Sequence, residues 1–202
     1  MNPAYICIEG NIGAGKTTLA KLLASSMNAR LILEEFEDNP FLARFYEEPA
    51  RYSFPLEMSF LAERYHQLKE KLGYQDIFQP LVISDYTLMK SLVFARVNLQ
   101  DVEYRLYRDF FAMVERQLPK PDLVVYINRS LSAVRENITH RGRAYEQNIA
   151  HEYLKDVHDG YQNILKDLGS HKLLVVNAED MDFVSGKADL EVVQELIFQA
   201  IQ

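Results

Sequence analysis

An α/β fold, a parallel sheet with helices packed on both faces, is the class this sequence predicts, and three observations predict it. Short runs rich in Val, Ile and Leu recur at Tyr5–Ile8, Leu31–Leu33, Leu81–Ile83, Leu123–Ile127 and Leu173–Val176. Stretches long enough for helices separate them, and strands that read as continuous apolar runs are those buried on both faces of a parallel sheet. No internal repeat, low-complexity tract or Ser/Gly-rich linker breaks the chain, so one domain over residues 1–202 is expected.

The elements follow in order. After the first run, Lys16 to Met27 carries Leu19, Leu22 and Leu23 at helical spacing, as expected of a crossover helix. Pro55 to Leu72 sets Met58, Leu61, Ala62, Tyr65, Leu68 and Leu72 on one stripe, and Val102 to Leu118 offers a second long amphipathic stretch. Both predict long helices outside the basic strand–helix repeat. Leu131, Val134 and Ile138 repeat the crossover pattern after the fourth run, and Arg141 to Asn148 is the most irregular stretch.

Composition narrows the function. With 48% apolar and 25% charged residues among 202, the chain can bury a core and is neither disordered nor fibrous. Its apolar runs fall far short of the roughly 18 residues a membrane span needs, and no basic residue precedes Lys16 to start a signal peptide. A cytoplasmic location and no membrane partner are expected. The lone Cys7 sits in an apolar run and reads as a buried thiol without redox chemistry. A net charge of -7 disfavours a nucleic-acid partner and leaves small molecules, with room for a local basic site for phosphates.

Such a site is written in Gly10-Asn11-Ile12-Gly13-Ala14-Gly15-Lys16-Thr17, a P-loop pattern between an apolar strand and a leucine-patterned helix. Its glycines let successive backbone N–H groups turn toward phosphates, and the helix that follows adds the positive end of its dipole. Lys16 is expected on the β and γ phosphates and Thr17 on magnesium. The Asn-Lys-x-Asp and Asp-x-x-Gly motifs of a regulatory GTPase are absent from the sequence. A phosphotransferase needs arginines that close over the transferred phosphoryl group, and Arg141-Gly142-Arg143 supplies a pair at a helix end. A solvated basic turn is the other reading of those residues.

Taken with Ile8-Glu9 before the loop and Thr18 after it, Glu34 followed by Asn39-Pro40-Phe41-Leu42, Glu57, Arg64, Phe94-Ala95 and Glu146, this sequence resembles the deoxynucleoside kinases nearly end to end. The resemblance implies a five-stranded parallel P-loop kinase fold with a short arginine-containing lid, and transfer of the ATP γ-phosphate to a nucleoside 5′-hydroxyl. It implies magnesium as cofactor and a homodimer formed through long helices.

It also implies roles for residues. Glu34, five residues before Asn39, matches the glutamate that takes the proton from the 5′-hydroxyl; the proline and valine that follow it in the family are Glu35 and Phe36 here. Asp85 ends the third run, where an acid directs a metal or meets the 5′-hydroxyl. The family's arginine after that acid is replaced by Tyr86, and alignment on Phe94-Ala95 without a gap would put Asp85 itself on the arginine's position. A simple turn cap remains the other reading of Asp85. Glu57 and Arg64, seven residues and about 10 Å apart along one helix face, match a base-reading glutamine and its assisting arginine. Phe60 and Phe111 are read as flat walls for the base, and Glu146 matches a lid glutamate on the sugar 3′-hydroxyl. Asp180 to Val184, with Asp182 and Phe183, resembles the loop that meets the adenine of ATP, although Phe183 equally suits a core anchor.

An ionised glutamate at position 57 only accepts hydrogen bonds, which favours guanine with its adjacent N1 and N2 donors; a protonated one would mimic glutamine and favour adenine. The expectation is therefore a purine deoxynucleoside kinase of nucleotide salvage, acting on deoxyguanosine or deoxyadenosine. The alternatives are a nucleoside monophosphate kinase of thymidylate-kinase type, for which Glu34 and Glu57 make the acceptor pocket too acidic, and an ATP-binding regulatory module without turnover.

Overall fold

The structure is a computed structural model that describes residues 4–35, 39–74, 78–147, 149–166, 172–183 and 187–201. In chain order the elements are β1 (Tyr5–Gly10), α1 (Lys16–Ser26), β2 (Arg30–Ile32), α2 (Leu42–Glu47), α3 (Pro49–Gly73), β3 (Val82–Ser84) and α4 (Lys90–Asn98). They continue with α5 (Asp101–Glu115), β4 (Leu123–Asn128), α6 (Leu131–Arg141), α7 (His151–Lys166), β5 (Lys172–Asn177) and α8 (Lys187–Ile201). The chain divides into two compact units, Met1–Leu33 with Gln75–Thr87 and Lys120–Gln202, and Glu34–Tyr74 with Leu88–Pro119.

The first unit holds a five-stranded sheet in the order β2-β3-β1-β4-β5, and every pair in it is parallel. The five apolar runs are its strands, within a residue or two at their ends. Central β1 is flanked by β3 and β4 and is buried throughout, which explains its lack of alternation. Ile6 and Ile8 join Leu19 and Leu23 of α1 and Val193 and Ile197 of α8 in one core. Glu9 lies on the opposite face, where Tyr161 of α7 meets it, and the Tyr161 ring lies 5.6 Å from that of Tyr126. Helices therefore cover both faces. α6 begins at Ser130, whose hydroxyl accepts from Ala133 N–H at 3.2 Å, and ends at Gly142 in a left-handed conformation with φ of 70°.

The second unit is helical. α3 starts at Pro49 rather than at Pro55, which lies inside it. Proline fits the first turn because its missing N–H would have no partner there, and α3 accommodates the second proline six residues further on. Its buried residues include Leu56, Leu61 and Leu68, and also Glu57 and Arg64. α5 opens with a capping box, Gln100 N–H donating to Glu103 at 3.1 Å. Its Tyr107 and Phe111 are buried, while Val102, Leu106, Phe110 and Met113 are exposed. Among the described residues no helix is long and apolar enough to cross a membrane.

Candidate active site

The phosphate loop joins β1 to α1. Gly15, with φ of 96°, caps α1 in the left-handed region, where a side chain would be strained. Gly13 also has positive φ, and a Cβ there would fall 2.8 Å from Ile138 Cγ1 and 2.8 Å from the Val134 carbonyl oxygen. α6 thus presses on the loop backbone, and Asn137 Nδ2 donates to the Gly13 carbonyl at 2.8 Å. Buried Asn11 adds a second brace, donating to the Leu154 carbonyl at 2.8 Å and accepting from Ile12 N–H at 2.8 Å. Ile12 packs beside Val134, Ile138 and Leu154, and Ala14 is buried beneath the loop. These contacts fix the loop in place, which is the preorganisation an anion cradle needs.

Lys16 Nζ donates to the Gly10 and Asn11 carbonyls at 2.9 and 2.8 Å, keeping its ammonium against the loop. Thr17 Oγ1 donates to Asp85 Oδ2 at 2.6 Å, and Thr18 is exposed on the first turn of α1. A hydroxyl and a carboxylate meeting beside a phosphate loop are hard oxygen donors of the kind magnesium takes. No three His, Cys, Asp or Glu side chains group into a metal cage among the described residues. The loop after β3 is anchored from below, since the fully buried Glu9 accepts from Thr87 N–H at 2.7 Å, Thr87 Oγ1 at 2.8 Å and Tyr161 Oη at 2.9 Å.

Both arginines of the expected lid sit on one carboxylate. Arg141 Nε donates to Glu146 Oε2 at 2.9 Å, its Nη2 donates to the same oxygen, and Arg143 Nη1 reaches Glu146 Oε1 at 3.4 Å. Gly142 turns the chain between them, and a short 3-10 turn at Ala144–Glu146 returns the carboxylate. Asn148, the end of the irregular stretch, lies outside the described residues.

In the second unit α3 and α4 build a polar cluster around Glu34. Arg64 Nε donates to Glu34 Oε1 at 2.8 Å, Lys90 Nζ donates to Glu34 Oε2, and Arg64 Nη1 donates to Ser91 Oγ at 2.8 Å. Burial would raise the Glu34 carboxyl, but Lys90 and then Arg64, by charge and by hydrogen bond, outweigh it and hold the pKa at about 2. Glu34 is thus a fixed carboxylate at any physiological pH. The Glu57 side chain is 1% exposed, and burial pushes its pKa up to about 7 against the opposing effects of Arg64 and the Asn98 amide. Asn98 Nδ2 donates to Glu57 Oε1 at 2.7 Å, whereas the buried Oε2 has no hydrogen-bond partner among the described residues. The Arg64 guanidinium lies 4.8 Å from the centroid of the Phe60 ring, and Phe111 is buried in the same unit.

Reading the sequence brought Glu34, Glu57 and Arg64 forward and missed Lys90, Ser91 and Asn98. Their signal was a lysine, a serine and an asparagine spaced along a short helix beside Phe94-Ala95, too weak alone to outweigh a solvated reading. Thr87 and Asn137 were missed likewise, and Glu9 stood in the motif without a role. Phe183 packs into the core cluster, with the Arg129 guanidinium 5.8 Å from its ring, while Asp182 N–H donates to Asp189 at 2.9 Å. Val184 at the end of that loop and Phe36 after Glu35 lie outside the described residues.

Comparison with known proteins bears on the whole arrangement. A family profile described as deoxynucleoside kinase matches residues 6–202. A deoxyguanosine kinase of Bacillus subtilis (strain 168) is 38% identical over 200 residues, covering 95% of this chain and 95% of its own. A deoxyadenosine/deoxycytidine kinase of the same organism is 29% identical over 202 residues, covering 98% of this chain and 93% of its own. Among solved structures, a deoxyadenosine kinase from M. mycoides with the products dCMP and a flexible dCDP bound superposes with a TM-score of 0.84 at 26% identity, over 96% of this chain and 99% of its own. Profile, relatives and superposition each span nearly the whole chain, sheet and helical unit alike, and on that basis the chain belongs to the deoxynucleoside kinase family.

Proposed function

We propose that this chain phosphorylates purine deoxynucleosides at the 5′-hydroxyl with ATP and magnesium, taking deoxyguanosine ahead of deoxyadenosine. The observation that carries the purine reading is Glu57, a buried carboxylate whose Oε2 has no donor among the described residues. Guanine presents two adjacent donors, N1–H and N2–H, that a carboxylate can accept together, whereas adenine and cytosine each set an acceptor against one oxygen. A mismatch of that kind costs on the order of 1–3 kcal/mol, enough to rank substrates. The relatives named as deoxyguanosine and deoxyadenosine/deoxycytidine kinases support the same substrate class.

Each remaining group has work suited to its chemistry. The loop from Gly10 to Thr18, with Lys16, holds the ATP phosphates, and the backbone at Asp182 and Phe183 would meet the adenine, the Phe183 ring staying in the core. Thr17 and Asp85 would hold magnesium, which when bound supplies positive charge to the phosphate oxygens. Arg141 and Arg143 exchange Glu146 for the transferring phosphoryl group, and Glu146 has acceptor capacity left for a sugar 3′-hydroxyl. Glu34 accepts a hydrogen bond from the nucleoside 5′-hydroxyl and takes its proton as that oxygen bonds to the γ-phosphorus and the bond from phosphorus to the bridging oxygen of ADP breaks, ADP leaving with that electron pair. A carboxylate held at about 2 is a weak base, which suits a loose transition state in which the proton leaves late. Arg64 and Lys90 fix its orientation, and Phe60 and Phe111 line the acceptor side.

A monophosphate acceptor would need a cation available for its phosphate. Arg64 and Lys90 are both engaged with Glu34, which favours the nucleoside reading. We also infer a cytoplasmic homodimer, joined through the exposed apolar face of α5. The function is tested by kcat/KM for a panel of deoxynucleosides and monophosphates with ATP and magnesium, following ADP release. Deoxyguanosine should lead and deoxyadenosine follow; a leading pyrimidine or monophosphate would overturn the assignment.

A further inference from the structure

Glu57 receives its hydrogen bond from Asn98, the last residue of α4, at 2.7 Å on Oε1. The Glu57 backbone is pinned as well, because Tyr107 Oη of α5 donates to its carbonyl at 3.3 Å. The charged and titratable groups around the carboxyl are Arg64 on the same helix, Lys90 on α4, Glu34, and Tyr107 on α5. Arg64 and Lys90 favour the ionised form by charge and Glu34 opposes it, but Arg64 donates to Glu34 and Ser91, and Lys90 donates to Glu34. Tyr107 stays a neutral phenol, since burial and then the neighbouring Glu57 push its pKa up.

We propose that Asn98 is a specificity-determining residue that acts through Glu57: its amide donates to the carboxylate and so favours the ionised, acceptor-only state that selects guanine over adenine. The inference rests on the reading of Glu57 as the group that meets the nucleobase. A donor aimed at a carboxylate stabilises the charged form. Burial has raised this carboxyl to about 7, so near neutrality the two forms are close in free energy and a single donor tips the balance. Ionised, the side chain offers two acceptors to guanine N1–H and N2–H. Protonated, it offers one donor and one acceptor, the complement of adenine N1 and its amino group. Removing the Asn98 amide leaves burial in command, and the pocket turns toward adenine.

The experiment compares the ratio of kcat/KM for deoxyguanosine to that for deoxyadenosine between pH 6 and 8.5. It uses the wild type, Asn98→Ala, Asn98→Asp, Glu57→Gln and the double variant Glu57→Gln/Asn98→Ala. In the wild type the ratio should rise with pH. Asn98→Ala should lower it about tenfold near neutrality, the worth of one hydrogen bond to a charged group, and move the rise to higher pH. Asn98→Asp, which keeps the size but puts a second carboxyl beside Glu57, should move the rise the same way. With Glu57→Gln the ratio should be low and flat in pH, and adding Asn98→Ala should change it by less than about twofold, because the pair is coupled only through the carboxyl. If Asn98→Ala and Asn98→Asp scale both nucleosides equally, while Glu57→Gln still shifts the ratio, the role of Asn98 is overturned and that of Glu57 stands. A ratio untouched by Glu57→Gln overturns the reading of Glu57 and the proposal with it.

Discussion

Glu34 and Glu57 are carboxylates of the same unit driven in opposite directions. Two cations on two helices hold Glu34 at about 2, whereas Glu57, with one amide donor, is raised to about 7. The second shift has a consequence for stability. Between the ordinary carboxyl value of 4.5 and about 7 the folded chain holds a proton on Glu57 that the unfolded chain has lost. Unfolding free energy therefore falls as pH rises through that window, and the cost is complete above it. Glu57→Gln removes the titration, so relative to wild type it should gain on the order of 1–3 kcal/mol on going from pH 5 to pH 8. Urea unfolding at the two pH values measures this, and parallel pH dependence in both proteins would contradict the raised carboxyl. At this scale Glu34, Glu57 and Arg64 were named from the family resemblance, and Arg64 is found bonded to Glu34. Lys90 and Asn98 were not legible, because what makes them matter is burial against a carboxylate distant in sequence, which no local pattern records.

At the scale of elements, the proposed lid depends on how α6 ends. Gly142 in the left-handed conformation breaks the helix right after Arg141, and the 3-10 turn brings Glu146 back to meet both arginines. Side-chain exposures of 36% for Arg141 and 27% for Arg143 leave the guanidinium groups within reach of solvent, while the Glu146 side chain they share is 7% exposed, so a bound phosphoryl group has to outweigh that carboxylate to draw them away. Amide hydrogen exchange over residues 141–147 should slow when ATP and a non-reacting nucleoside analogue bind together. Exchange unchanged by both ligands would remove the lid assignment. The strands and the first crossover helix were legible within a residue or two, since buried parallel strands are continuous apolar runs. The start of α3 was less legible, because the apolar stripe marks only its later turns, whereas Pro49 takes the first turn and Pro55 lies inside the helix.

For the molecule as a whole, the parallel sheet could be read from the spacing of apolar runs, but the strand order β2-β3-β1-β4-β5 could not, because pairing is decided by packing between distant segments. The exposed stripe of Val102, Leu106, Phe110 and Met113 follows helical spacing along α5, opposite buried Tyr107 and Phe111. A contiguous apolar face of this kind marks an interaction surface, and a second copy of the chain is the occupant inferred above. Leu106→Asp with Phe110→Asp should convert a dimer into a monomer in sedimentation velocity, whereas a wild type that sediments as a monomer would refute the interface.

In the proposed reaction Glu34 is the group that receives the 5′-hydroxyl proton. The most direct test of that role is single-turnover phosphorylation of deoxyguanosine by Glu34→Gln, beside nucleoside affinity measured by calorimetry. The substitution keeps the shape and removes the proton acceptor, so the transfer rate should fall roughly 100-fold or more while affinity changes little. A transfer rate close to that of the wild type, or a Glu35→Gln variant that is crippled in its place, would contradict it.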